Sequence, residues 1–117
     1  MNTLSKQNCM ACDRNSTGLT KEEIKLLASE IPDWDIIDQD DVLKLSRSFK
    51  LKNFAEALSF TNAVGEIAEE QDHHSLIKLT WGKVTVRWWT HTVGGLHKND
   101  FIMAARTSEI FKTFSER

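Results

Sequence analysis

At 117 residues, with 40% hydrophobic and 27% charged side chains, the chain has the composition of one globular domain able to bury a core without disulfides. Fifteen Lys and Arg against seventeen Asp and Glu leave a net charge of −2, so no basic excess exists to neutralise a phosphate backbone or hold an acidic membrane, and no nucleic-acid partner is expected. No run approaches the ~20 apolar residues of a membrane helix and Met1 to Asn8 lacks a signal-peptide core, so no membrane association and a cytoplasmic location are expected.

Residues 1–18 mix Asn, Ser, Thr and Gly without periodicity and read as a flexible arm ahead of a single domain over 19–117. The arm holds Cys9 and Cys12, a C-x-x-C pair without the strand-to-helix setting of a redox motif or a second pair of zinc ligands. The pair is therefore expected to be reduced and idle. Thr20-Lys21-Glu22-Glu23 is a capping-box pattern that opens a first helix, with Ile24, Leu27 and Ala28 on one face and Pro32 as the stop. Trp34, Ile36 and Ile37 suggest a strand, Asp38 to Asp41 a turn, and Leu43, Leu45, Phe49 and Leu51 a half-buried strand in which Arg47 interrupts the apolar side. Asn53 caps a long helix from Phe54 to Glu70. Ile77, Leu79 and Trp81, then Gly82-Lys83, then Val84, Val86 and Trp88 predict a hairpin turning on Gly82-Lys83, which sets Ser75 opposite Thr90. Asp100 to Phe114 predicts a last helix with Phe101, Ala104, Ala105 and Ser108 inward. The order α-β-β-α-β-β-α is that of an α+β domain, a four-stranded antiparallel sheet with its helices packed on one face.

The chemistry concentrates in His73, His74 and His91, which the hairpin brings to one end of the sheet. Imidazoles give and take protons near neutrality, so a cluster offers an acid and a base in one site, with Glu69 or Asp100 able to stabilise one cation. Two other readings of these histidines stay open. One is a satisfied or solvent-facing role. The other is a metal site, although no H-E-x-x-H or comparable helical spacing is present. No G-x-S-x-G, G-x-G-x-x-G or Walker-type loop occurs. Trp81 and Trp88 are expected in the core or at a subunit interface, while Trp34 and Trp89 are candidates for the wall of a pocket holding a planar ligand.

The run Glu69-x-x-x-His73-His74-Ser75, with Trp81, Thr90-His91, Gly95-Leu96 and Asp100 at their spacings, resembles the signature of the pterin-4a-carbinolamine dehydratase family. Leu45-x-Arg47-x-Phe49, Phe54, Ala57 and Ala68 extend the likeness from about Leu19 to Phe111. The resemblance implies the α-β-β-α-β-β-α fold, assembly into homodimers or homotetramers, and dehydration of 4a-hydroxytetrahydropterin to quinonoid dihydropterin without a metal or organic cofactor. The aromatic amino acid hydroxylase that makes this adduct is the protein partner it implies. By position His73 and His91 resemble the family's acid-base pair, His74 its substrate-binding histidine, and Glu69 and Asp100 its acidic members. Two residues depart from the pattern. Ser75 stands where the family often has Pro, and His97 stands where it usually has a Thr or Ser helix cap, so the last helix is expected to start less cleanly and Asp100 to lose a reciprocal partner. The reading from another class is a non-catalytic dimerisation or stimulator module on the same scaffold.

Overall fold

The computed structural model describes residues 4–7, 18–73 and 75–115. Side chains that stand in for missing backbone partners open its helices. Thr20 Oγ1 accepts from the Glu23 N–H (3.2 Å) while Glu23 Oε1 accepts from the Thr20 N–H (2.9 Å), and α1 (Lys21–Ala28) follows from this reciprocal cap. Asn53 Oδ1 accepts from the Glu56 N–H at 2.9 Å and opens α2 (Phe54–Glu70) at the expected boundaries. The third helix, α3 (Lys98–Ser115), starts two residues before the expected Asp100.

Four strands, β1 (Asp35–Gln39), β2 (Val42–Lys50), β3 (Leu76–Leu79) and β4 (Lys83–Trp88), form one antiparallel sheet in the order β1-β2-β4-β3. Asp40 and Asp41, both with positive φ (55° and 65°), are the two-residue turn between β1 and β2, a type I′ geometry that Asp tolerates better than most residues. The β3–β4 hairpin turns on Trp81-Gly82 rather than Gly82-Lys83. The Thr80 N–H donates to the Lys83 carbonyl (2.9 Å), and the ladder runs from Leu79↔Val84 to Leu76↔Arg87. The register is thus displaced by two residues from the expected one. An even shift keeps every side chain on its predicted face, so the amphipathic pattern alone does not distinguish the two pairings. Trp81, expected in the core or an interface, stands 74% exposed at the tip.

Strand alternation sorts the sheet into two faces. Leu45, Phe49, Val84, Val86 and Trp88 are buried with Ala57, Phe60, Val64 and Ala68 of α2 and Phe101, Ile102, Met103 and Ala104 of α3. Phe60 tilts against Phe49 at 4.8 Å and meets Phe111 and Phe114 edge-on at 5.9 and 5.7 Å, tying the two long helices to β2. The other face is polar: Ser48 bonds Thr85 (2.9 Å), Arg87 Nε donates to Ser46 Oγ (3.3 Å), and Lys44 lies 4.0 Å over the Trp89 ring. Helices on one side of an antiparallel sheet are what the sequence predicts.

Arg47 takes an inward position because it is only partly polar in practice. Its guanidinium lies over Phe49 (4.5 Å) and Phe111 (5.4 Å), donates to Ser108 Oγ (3.0 Å) and approaches Asp33 (3.9 Å). Burial lowers its pKa and the Asp33 carboxylate opposes that shift. Within the segment expected to be a flexible arm, residues 4–7 are docked. Leu4, 4% exposed in a short 3-10 turn (Leu4–Lys6), enters the core, and Arg106 of α3 clasps the Gln7 carbonyl through Nε (3.0 Å) and Nη2 (2.6 Å). A single leucine in a polar stretch has no periodicity to announce it. Cys9 and Cys12 lie outside the described residues.

Because Phe60 is fully buried among three other rings, Phe60→Ala should destabilise the fold by about 3–5 kcal/mol, seen as a lowered urea midpoint with an unchanged slope.

Candidate active site

The polypeptide makes its sharpest reversal after α2. Asp72 adopts φ 50°, its N–H reaches the Glu69 carbonyl (3.1 Å), and the His73 N–H reaches back to the Ala68 carbonyl (2.9 Å). This is a Schellman end with Asp in the left-handed position usually held by Gly. It turns the His73 side chain under the sheet, where the ring lies parallel to that of Trp88 (15° between planes, centroids 5.9 Å apart). Continuing the β3–β4 register from Leu76↔Arg87 by three residues sets His73 level with Thr90, the place that the predicted register gave to Ser75.

Both residues bind the same group. Asp100, with no solvent exposure, receives His73 Nε2 on Oδ1 at 2.6 Å, and on Oδ2 it accepts from Thr90 Oγ1 (2.7 Å) and the His97 backbone N–H (2.9 Å). Three donors from three segments satisfy a carboxylate removed from water, and Asp100 also sits in the first turn of α3, where the helix dipole favours an anion. Since the carboxylate accepts, the proton in the 2.6 Å pair belongs to His73 Nε2. Its orientation is held from both sides, by Asp100 at the nitrogen and Trp88 on the face.

His97 corrects one expectation in part. It does cap α3: its ring Nδ1 accepts from the Asn99 N–H (3.1 Å), while its own N–H goes to the Asp100 carboxylate (2.9 Å). The helix starts at Lys98, but the Asp100 N–H goes to the His97 carbonyl (2.9 Å) and not to the cap side chain, so the reciprocal bond of a capping box is lost as expected.

His91 is the residue after Thr90. It opens a short 3-10 turn (His91–Val93) that closes through the Gly94 N–H on the His91 carbonyl (3.1 Å), with Gly94 at φ 66°, a conformation that Gly adopts without strain. The paired Thr90 and Gly95 backbones (2.7 and 3.2 Å) then return the chain to α3. The His91 side chain is exposed, in contrast to buried His73. His74 lies outside the described residues. Glu69 is exposed on the last turn of α2.

Neither tryptophan assigned to a pocket wall joins this group. Trp34 is buried in the core, edge-on to Phe49 at 5.9 Å, and its indole donates to Ser108 Oγ (2.9 Å), eight residues and so roughly 12 Å along α3 from Asp100. Trp89 lies beneath Lys44 on the sheet face away from the helices. The indole at the site is that of Trp88, whose Nε1 donates to Thr107 Oγ1 (3.2 Å). Its parity with Val84 and Val86 marked it as inward. Trp88, Thr90 and His97 are the residues that reasoning from motifs alone passed over as site members.

Among the described residues no group of three or more His, Cys, Asp or Glu is arranged to hold a metal ion, and no helix is long and apolar enough to cross a membrane. The arrangement is suited to proton transfer: one histidine oriented by a buried carboxylate, and a second, accessible one on the adjoining turn. Thr90→Val keeps the shape of the Thr90 side chain but removes a donor from the buried carboxylate, and should cost about 1–3 kcal/mol in denaturant unfolding.

Residues 17–110 match the profile of the family described as pterin 4 alpha carbinolamine dehydratase. Similar proteins, each provisionally named a pterin-4-alpha-carbinolamine dehydratase, come from Marinobacter nauticus (51% identical over 111 residues, 95% of this chain and 100% of that protein) and Microcystis aeruginosa (49% over 112 residues, 96% and 97%). A crystal structure described as a transcriptional coactivator/pterin dehydratase from Brucella melitensis superposes with a TM-score of 0.74 at 29% identity, covering 80% of this chain and 98% of that one. A pterin dehydratase-like protein described as a RuBisCO assembly factor in the alpha-carboxysome shares the fold at 19% identity, with a TM-score of 0.55 over 65% of this chain and 88% of its own. With the matched profile covering the sheet, α1, α2, most of α3 and the Asp100 cluster, the chain belongs to the pterin-4-alpha-carbinolamine dehydratase family.

Proposed function

We propose that the protein dehydrates 4a-hydroxytetrahydropterin to quinonoid dihydropterin and water by histidine acid–base catalysis, in the recycling of a tetrahydropterin cofactor in the cytoplasm. The observation that carries this reading is the shared carboxylate. Asp100 joins His73 directly and also accepts from Thr90, the residue before His91, which supports a role for both histidines at this end of the sheet.

The reaction breaks the C4a–O bond and forms the C4a=N5 double bond. One proton goes to the departing hydroxyl, which leaves as water, and one leaves N5, so no oxidant or reductant is consumed and no cofactor is required. An imidazolium at His91 or His73 delivers the first proton, and the partner imidazole receives the second. Asp100 holds His73 in one orientation and stabilises it when it is charged, as a buried carboxylate does for a neighbouring imidazole. His74 hydrogen-bonds the pterin, with Glu69 as the supporting acid. Exposed Phe54 and Leu58 on the outer side of α2 support assembly into a homodimer or homotetramer. A hydroxylase that forms the 4a-adduct is the natural supplier of substrate.

The test is the decay of a freshly generated 4a-carbinolamine, followed by ultraviolet absorbance. The protein should accelerate the decay, and replacing His73 and His91 together with alanine should return it to the uncatalysed rate, with folding confirmed by circular dichroism. A protein that leaves the decay unchanged while co-purifying with another chain would favour the stimulator-module reading.

A further inference from the structure

Positioning of the Asp100–His73 pair depends on a side chain that takes no part in the proposed proton transfer. The Asn99 N–H donates to His97 Nδ1 (3.1 Å), and a ring nitrogen that accepts a hydrogen bond carries no proton. His97 is therefore neutral in the folded site, with its proton on Nε2. His97 is 9% exposed, and its backbone N–H is one of the three donors on Asp100. The ring holds the Asn99 N–H, the backbone N–H of the same residue holds one oxygen of the Asp100 carboxylate, and the other oxygen holds His73. We infer that His97 is a positioning residue for the site, aligning Asp100 and through it His73 only while its Nδ1 is unprotonated.

A hydroxyl cap would do the same geometric work with no change of protonation, whereas an imidazole nitrogen accepts only while it carries no proton. Protonation of Nδ1 replaces an acceptor with a donor that faces the Asn99 N–H, so the cap bond is lost and the first turn of α3 loosens around Asp100. Among the described residues, α3 itself places the Asp100 carboxylate on the His97 N–H and the exposed Lys98 next along the chain. From the α2–β3 link His73 reaches the same carboxylate, and from the turn after β4 comes uncharged Thr90, with His91 next along the chain. From the segment ahead of α1, the Leu19 backbone N–H donates to the Leu96 carbonyl (3.2 Å). Acid is thus expected to act on the site through its helix cap as well as through the proton-transfer histidines.

The kinetic part of this inference rests on the proposed dehydratase reaction, whereas the spectroscopic part does not. In nitrogen-15 spectra of the full chain, His97 should show an unprotonated Nδ1 at neutral pH, and the Asn99 amide signal should move on acidification in step with the His97 ring. In His97→Thr that step at Asn99 should disappear while the His73 signals keep their neutral-pH positions. In carbinolamine decay, His97→Ala should lower kcat about fivefold with KM little changed, the scale of a lost side-chain cap. His97→Thr should restore kcat and extend activity to lower pH than wild type. A protonated Nδ1 at neutral pH, or a His97→Thr profile that superposes on wild type, overturns the inference. Wild-type protein without any dehydratase activity refutes the proposed function instead, and the Asn99 titration then decides the role of His97 alone. If His97→Ala fails to fold, the His97→Thr comparison carries the kinetic arm.

Discussion

The structure hinges on a carboxylate that water does not reach. Asp100 is wholly enclosed, and an enclosed carboxylate is tolerable only when its oxygens are filled by donors held in place by the rest of the chain. Here those donors come from the C-terminal reversal of α2, the end of β4 and the residue ahead of α3. The three segments lie at the ends of three different elements, so the carboxylate acts as a knot that fixes the end of the sheet to the tail of α2 and the head of α3. Breaking any one strand of that knot leaves a buried charge short of a partner, which is why the site and the fold cannot be separated energetically.

The remainder of the architecture exists to present this knot. Packing of Phe49, Phe60, Phe111 and Phe114 fixes α2 and α3 against β2. Once the axis of α3 is set, Asp100 has little freedom left. The Schellman end of α2 performs the equivalent task for His73, with Asp72 accepting a left-handed backbone in order to return the chain directly beneath Trp88. Arg47 shows the same economy on the opposite flank of the core: its planar guanidinium is stacked on rings and bonded at its edge, so a cation occupies an apolar face without a void.

Family membership and chemistry meet at particular residues. His73, His74, His91, Glu69 and Asp100 all lie within the region that matches the family profile, and so does His97. A histidine at position 97 preserves the capping geometry while introducing a group whose hydrogen-bonding sense depends on its proton. That combination distinguishes this protein's site from one closed by a hydroxyl.

Much of the fold was legible before any coordinates. α2 could be bounded to the residue because its start is a local cap and its body is an uninterrupted apolar stripe, both written in consecutive residues. The faces of β2 and β4 were legible for the same reason, since a period of two needs no knowledge of the partner strand. The sequence by itself also determined which residues are candidates for the chemistry: the histidines, Glu69 and Asp100 stand at their spacings whatever the fold does. Only the tertiary structure decided the hairpin register, because a shift of two residues leaves every face unchanged. It alone revealed that Trp88 rather than Trp34 or Trp89 accompanies His73, that Leu4 docks into the core, and that His97 caps α3 through its ring. The Trp88 and Leu4 contacts join residues well separated along the chain and are set by how side chains fill the space between a sheet and two helices, whereas the hairpin register and the His97 cap are local but follow no period or motif that a linear reading can detect.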